Sequence, residues 1–227
     1  MTQPAPMAVP TTPRFLGPLT LLLLLAGLGA GLAWVPRDAV QGNVQRILYL
    51  HVPAILTAYL AIGVVLVASI AYLASRRPAW DRAAEAAAEL AVCFIGITLA
   101  TGSIWGKPTW GTWWTWDARL TSTAILFVIY LGYLLLRSVV EEPERAATYA
   151  AVVGIVGALD VPIIHFSVEW WRTLHQPATV LRPQAPLMDR AMLIALGLNL
   201  LAFLSTFAYL WTLRYRLLHL ESATESR

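Results

Sequence analysis

The sequence predicts an all-α, polytopic integral membrane protein with six transmembrane helices and a Trp-rich external loop between the third and fourth helices. Of its 227 residues, 58% are apolar and only 13% are charged, about half the charged share of a soluble domain. A soluble domain needs polar groups to cover its surface, so this composition excludes a soluble globular enzyme. It also excludes a disordered chain. The single cysteine, Cys93, excludes a disulfide-stapled domain.

Six apolar runs have about the length of a membrane-spanning helix, which needs about 20 residues. The runs are too long and continuous for the alternating strands of a membrane barrel. They cover Leu16–Val35, Ile47–Ala74, Ala83–Ile104, Leu120–Leu136, Ala146–Ile164 and Ala191–Leu213. We expect residues 1–227 to form one membrane domain. The first run is also compatible with a cleaved signal peptide, although it is longer than an ordinary signal core.

The distribution of Lys and Arg predicts the orientation of the spans. Nine of the 16 cations fall on the face that carries both termini, and seven fall on the other face. This weak bias predicts cytoplasmic termini, and seven cations on an external face suggest that some of them hold an anion. The seven are Arg37, Arg46, Lys107, Arg119, Arg172, Arg182 and Arg190.

Tryptophan is concentrated between the third and fourth runs, where residues 105–117 read WGKPTWGTWWTWD. This segment holds five of the ten Trp residues. We expect Gly106, Pro108 and Gly111 to turn the backbone, so that the indoles form a surface in a loop. Such a surface suits a flat, conjugated ligand, and the alternative is an ordinary interfacial aromatic belt. Span parity places three further tryptophans on the same face: Trp34, Trp170 and Trp171.

Three of the four histidines are predicted to lie on this face as well. They are His51, His165 and His175, whereas His219 falls on the opposite face. Imidazole is a common axial ligand of haem iron, and two histidines could hold a haem above the tryptophans. Parity alone does not choose which two.

Two arginines, Arg46 and Arg119, lie at the membrane edges of the same face. Arginine matches carboxylates in a forked geometry, so these side chains could meet the haem propionates. The alternative is that they are interfacial cations that extend towards water.

Several polar residues fall inside or near the apolar runs. Asp160 is a functional candidate because acids at membrane depth are rare. We expect Glu85 and Glu89 to be solvated, and Asn199 to form a hydrogen bond with another helix.

Residues 105–122 resemble the Trp-rich "WWD" signature of cytochrome c maturation proteins that handle haem. Two further segments narrow the resemblance to cytochrome c maturation protein C, also called the haem exporter protein C family. These are YLHVP at 49–53 and PIIHFSVEWWRTLHQ at 162–176. The resemblance runs from Gly42 to Gln176.

The resemblance implies roles for individual positions. His51 and His175 match the two axial haem ligands, and His165 matches a histidine that is not the usual ligand. The haem platform would comprise Trp105, Trp110, Trp113, Trp114 and Trp116. The resemblance also places Asp117, Arg46 and Arg119 around the haem.

The resemblance further implies a membrane assembly factor rather than an enzyme. It would bind haem b non-covalently at the periplasmic face of the bacterial inner membrane and present it to a periplasmic haem chaperone. Its partners would be the ATP-binding and membrane subunits of an ABC transporter and a small single-span subunit, with no nucleic acid. Two alternatives remain open: a membrane b-type cytochrome that exchanges electrons with quinone, and a haem permease.

Overall fold

A computed structural model describes residues 11–175 and 188–225 of the chain. Two positions discussed above, Gln176 and Arg182, lie outside these residues. The described residues contain seven α-helices and no β-strand. The helices are α1 (Leu16–Gly29), α2 (Leu48–Ser75), α3 (Pro78–Trp110), α4 (Ala118–Val139), α5 (Pro143–Ala158), α6 (Asp160–Trp170) and α7 (Arg190–Glu225).

Six helical segments are long and apolar enough to cross a membrane, which confirms the predicted number of spans. The first span is α1 with a π-helical turn, Ala30–Trp34, and the second is α2 with a preceding 3-10 turn, Val44–Ile47. The fifth span consists of α5 and α6, which meet at Leu159. The predicted spans agree with these segments except at their ends, where the second to sixth spans extend beyond the apolar runs.

Small residues hold the centre of the bundle together. On α2, Ala54, Ala58 and Ala61 are fully buried, and on α3 the same is true of Ala87 and Ala91. Because alanine has a short side chain, the two helix backbones can approach closely, as is common between membrane helices.

The first span packs mainly against the last, α7. The predicted interhelical hydrogen bond of Asn199 is confirmed here, because its Nδ2 donates to the Gly27 carbonyl oxygen at 2.7 Å. A second bond from Nδ2 reaches the Ala195 carbonyl oxygen at 2.8 Å. Asn199 is 1% exposed, so these bonds satisfy a polar group at membrane depth.

The tryptophan-rich segment is not a loop over its whole predicted length of 105–119. Helix α3 continues through Gly106 and Pro108 and ends at Trp110. Proline removes only its own N–H from the helix, and the next turn still closes because Gly111 N donates to the Lys107 carbonyl oxygen at 3.0 Å. The chain turns at Gly111, whose φ of +79° favours glycine.

Helix α3 is unusually long for a single span. Its 33 residues correspond to about 50 Å, whereas the hydrocarbon core of a bilayer is about 30 Å thick. Helix α3 is therefore long enough for its last turns, which carry Trp105 and Trp110, to project beyond the hydrocarbon. The irregular segment is confined to residues 111–117.

The two ends of the bundle differ in composition. The tryptophan end comprises the start of α2, the end of α3, residues 111–117, the start of α4 and residues 165–175. The opposite end carries Trp80 and Trp211, which line one apolar groove. The predicted uneven distribution of tryptophan is confirmed.

The opposite end, from here the ion-pair end, joins α3 to α4 and α7 through charged side chains. Arg137 contacts Asp81 at 2.6 Å and Glu85 at 2.7 Å. Arg214 contacts Glu89 at 2.7 Å. The expectation that Glu85 and Glu89 are simply solvated is wrong, because both carboxylates pair with arginines from other helices.

Candidate functional site

His51 lies in the first turns of α2 and faces the last third of α3. Its Nδ1 is 3.1 Å from the Thr101 hydroxyl oxygen. Its ring meets the Trp105 indole edge-on, with 5.8 Å between ring centroids. Gly102 makes room for the imidazole, since a Cβ atom there would lie 2.9 Å from His51 Cε1.

His175 lies in the segment after α6 and also approaches α3. Its ring centroid is 6.2 Å from that of Trp110. Its Nδ1 is 3.2 Å from Nη1 of Arg119. His51 and His175 thus each pack against an indole of the last turns of α3, Trp105 and Trp110 respectively. The fold therefore brings together the two histidines that the sequence analysis singled out.

Arg119, at the start of α4, connects that helix to the end of α6. Its Nη2 donates to the His165 carbonyl oxygen at 2.8 Å, and its Nε donates to the Ile164 carbonyl oxygen at 3.2 Å. Because a guanidinium only donates, the contact with His175 makes the imidazole Nδ1 the acceptor. Arg119 therefore orients His175 and its segment, and its described partners are neutral.

Asp117 caps α4 and holds the His175 segment with the same carboxylate. Its Oδ1 accepts from the Leu120 N–H at 2.9 Å, which is an ordinary N-cap bond. Its Oδ2 accepts from the Leu174 N–H at 3.3 Å. The residue before His175 is thus tied to the start of α4.

Arg46 lies in the 3-10 turn before α2 and contacts the end of the first span. Its Nη1 donates to the Leu32 carbonyl oxygen, and its Nη2 donates to the Val35 carbonyl oxygen at 3.4 Å. Its Nε is buried and has no partner among the described residues. As with Arg119, the described partners of Arg46 are neutral carbonyl groups.

The remaining tryptophans of the segment differ in exposure. Trp116 is 81% exposed and Trp113 is 56% exposed. Trp114 is partly buried, packs edge-on against Trp116 at 5.6 Å, and has an indole Nε1 without a partner among the described residues. Trp105 is fixed by a 2.8 Å hydrogen bond from its Nε1 to Oε1 of Gln41. Part of the aromatic surface is therefore anchored and part is open.

Two residues that the sequence analysis left unresolved lie at the edge of the site. The His165 side chain is exposed and packs edge-on against Phe166, with 5.0 Å between ring centroids. The backbone carbonyl oxygen of His165 accepts the hydrogen bond from Arg119. Asp160 lies where α6 begins, and its Oδ2 is buried without a partner among the described residues.

The donor set has a definite chemical character. Two imidazoles lie beside aromatic rings, and two arginines nearby have no carboxylate partner among residues 11–175 and 188–225. No group of three His, Cys, Asp or Glu side chains in that part of the chain could hold a bare metal ion. An iron macrocycle fits this set better than a bare ion does, because it needs only one or two axial ligands and offers a flat face and carboxylates.

Sequence reasoning missed three residues that shape the site: Thr101, Gly102 and Gln41. Thr101 and Gly102 lie within one helical turn of Trp105 on α3, and this spacing was the available signal. Gln41 belongs to the connection before α2, where the sequence carries no pattern that points to Trp105.

Comparisons with known proteins identify the family. A family model described as "Heme exporter protein C" matches residues 5–227. Proteins named "Heme exporter protein C" are 45% identical in Bradyrhizobium diazoefficiens, over 86% of this chain and 74% of the relative, and 42% identical in Haemophilus influenzae, over 88% and 81%. The protein of that name in Escherichia coli is 38% identical, over 87% and 79%. This chain belongs to the heme exporter protein C family.

Proposed function

We propose that this chain is a haem-binding assembly factor for c-type cytochromes rather than an enzyme. It binds haem b non-covalently at the tryptophan end and presents it to a haem chaperone. The observation that carries the proposal is that His51 and His175 both pack against the tryptophans at the end of α3, with Arg119 in contact with His175. Membership of the heme exporter protein C family supports haem as the cargo.

Each part of haem has a matching group in the site. His51 and His175 would hold the haem iron, since imidazole nitrogen is a common haem ligand, and His175 would do so once Arg119 leaves its Nδ1 to meet a propionate. The indoles of Trp105 and Trp110, each beside one histidine, support the ring by aromatic contact. The exposed indoles of Trp113 and Trp116, with the partly buried Trp114 between them, extend this surface.

The haem propionates fit the two arginines of the site. Arg46 and Arg119 have no carboxylate within ion-pair distance among the described residues, and their hydrogen-bond partners there are neutral groups. A carboxylate that approaches them gains charge-assisted hydrogen bonds. In this proposal Asp117 acts indirectly, because it holds the segment that carries His175.

The setting of the proposal is the bacterial inner membrane. The whole chain acts as a single six-span domain, with both termini in the cytoplasm and the tryptophan end in the periplasm. Its partners are a periplasmic haem chaperone, the two kinds of ABC-transporter subunit and a small single-span subunit. Exposed aromatic groups such as Trp116 leave part of the site open to an acceptor protein.

The test is the absorption spectrum of the purified chain after haem titration. We expect the wild type to give the spectrum of a six-coordinate, bis-imidazole haem. His51→Ala and His175→Ala each remove that spectrum, whereas His165→Ala, the matched control on the same end, keeps it. A wild type without bound haem, or a double His51→Ala/His175→Ala variant that binds normally, contradicts the proposal. Reversible reduction by quinol favours the b-type cytochrome instead.

A further inference from the structure

The hydroxyl group of Thr101 contacts the His51 ring. The Thr101 hydroxyl oxygen lies 3.1 Å from His51 Nδ1. The two residues belong to different helices, α3 and α2. The contact therefore depends on how these two helices pack and is independent of local sequence.

The single proton of this hydroxyl is already engaged. The Thr101 oxygen lies 2.7 Å from the Ile97 carbonyl oxygen and 3.2 Å from the Thr98 carbonyl oxygen, and the hydroxyl donates to them. A threonine hydroxyl has one proton to donate and two lone pairs. Towards His51 the oxygen is therefore an acceptor, and Nδ1 must carry the proton.

The position of that proton decides which nitrogen can bind a metal. A neutral imidazole has one N–H, so a proton on Nδ1 leaves the lone pair on Nε2. We propose that Thr101 is a positioning residue that holds His51 in the tautomer whose Nε2 lone pair is available to haem iron. This inference rests on the proposed function, because it assigns His51 to the iron.

The neighbours of Thr101 keep the ring in one orientation. Gly102 lies so close that a Cβ atom there would be 2.9 Å from His51 Cε1, and the Trp105 indole packs edge-on against the ring, with 5.8 Å between the centroids. A ring in contact with both residues has little freedom to exchange its nitrogens by rotation. Hydrogen bonds of this kind to the second nitrogen fix the orientation of metal-binding histidines and make them stronger ligands.

The other histidine is held in a different way. His175 Nδ1 accepts from the Arg119 guanidinium, so the proton of a neutral His175 lies on Nε2. The tautomer of His175 is therefore the opposite of the one that Thr101 favours at His51.

The experiment is a haem titration of the purified full-length chain with three variants. Thr101→Val keeps the branched shape and removes the hydroxyl. Thr101→Ser keeps the hydroxyl. Thr206→Val is the matched control, because the Thr206 hydroxyl makes the same bond to a carbonyl oxygen four residues earlier and lies on α7.

We expect Thr101→Val to bind haem about tenfold more weakly, because loss of such a partner lowers metal affinity by about 10- to 100-fold. Its bound haem should also show a smaller low-spin fraction and a higher reduction potential. Thr101→Ser should restore all three quantities, and Thr206→Val should match the wild type. If Thr101→Val keeps wild-type affinity and spectrum, or if Thr206→Val weakens haem binding equally, the inference is wrong.

A second measurement does not depend on haem binding. Nitrogen NMR of the chain with labelled histidine should show His51, assigned by comparison with His51→Ala, with its proton on Nδ1. A proton on Nε2 overturns the inference even if Thr101→Val fails to fold. A wild type that binds no haem contradicts the proposed function, whereas normal binding by Thr101→Val contradicts only the role of Thr101.

Discussion

Arginine side chains have different partners at the two ends of the bundle. At the ion-pair end, Arg137 lies between Asp81 and Glu85, with contacts of 2.6 and 2.7 Å. At the tryptophan end, Arg119 donates to the carbonyl oxygens of Ile164 and His165. Among the described residues, every ion pair lies at the ion-pair end.

The difference shows that an arginine whose N–H groups have hydrogen-bond partners can still carry a positive charge that no carboxylate balances. Carbonyl oxygens occupy N–H donors but leave the positive charge in place, whereas carboxylates also cancel it. The ion-pair end therefore uses Arg137 and Arg214 to join helices. At the tryptophan end, Arg119 also joins helices, but its positive charge stays available to attract an anionic ligand.

Of the substitutions that test this comparison, Arg137→Gln should have the largest effect. Arg137→Gln leaves Asp81 and Glu85 as poorly solvated carboxylates, since the three side chains are 13–20% exposed. We expect the free energy of unfolding to fall by about 3–5 kcal/mol, as for other buried ion pairs that lose one partner. Denaturant titration in detergent or bicelles measures this change.

The matched control for that variant is Arg145→Gln. Arg145 pairs with Glu142 at 2.5 Å, but the two side chains are 68% and 53% exposed. Exposed pairs contribute about 0–1 kcal/mol, so little change is expected. Equal effects of the two substitutions, or a large loss of haem affinity in folded Arg137→Gln, would remove the contrast between the two ends.

The next largest effect is expected at Arg119, on ligand binding. Arg119→Gln should lower haem affinity by about 10- to 100-fold, because a hydrogen bond to a charged group contributes roughly 1.5–3 kcal/mol. Stability should fall less than in Arg137→Gln, since the carbonyl groups left behind are neutral. Arg119→Lys keeps the positive charge but lacks the forked geometry of the guanidinium group, so it should recover part of the haem affinity. If Arg119→Gln binds haem normally, the positive charge has no role in binding.

The smallest effect is expected at Asp117. Asp117→Asn keeps one acceptor oxygen, which is enough for the N-cap bond from Leu120, and Asn is as good an N-cap as Asp. The bond from Leu174 is then lost, at about 1 kcal/mol, so haem affinity should fall about fivefold while α4 stays intact. Haem titration and circular dichroism measure the two quantities.

Asp189→Asn is the control for this substitution. Among the described residues, Asp189 accepts only from the Ala191 N–H at the start of α7, through Oδ1, so an amide oxygen replaces it without loss. Equal haem affinities in Asp117→Asn and Asp189→Asn would show that the Leu174 bond does not support the site.

The spans could be predicted because they depend on apolar length alone. Their ends could not, since a helix such as α3 continues past its apolar run into residues that favour turns. Pro108 and Gly106 are helix breakers on average, yet α3 continues through both. Gly111 was the effective terminator, and only its positive φ distinguishes it from Gly106.

The composition of the candidate site could also be predicted, whereas its internal contacts could not. Trp105, His51 and His175 stand out because their residue types are rare and span parity places them together. Thr101 and Gly102 are ordinary residues in a membrane helix, and their importance arises from the distance to His51 across two packed helices. Such distances depend on helix rotation, which the hydrophobic pattern of an apolar helix does not fix.

Helix α3 has a mechanical consequence for the whole molecule. Asp81 and Glu85 lie near its start, and Thr101 and Trp105 lie near its end, with no proline between them. A hydrogen-bonded helix is a stiff rod, so a shift along its axis of one residue rise, about 1.5 Å, applied at one membrane surface arrives at the other almost undiminished. Any partner protein that displaces the acidic end of α3 therefore also displaces Thr101 and Trp105, which contact His51.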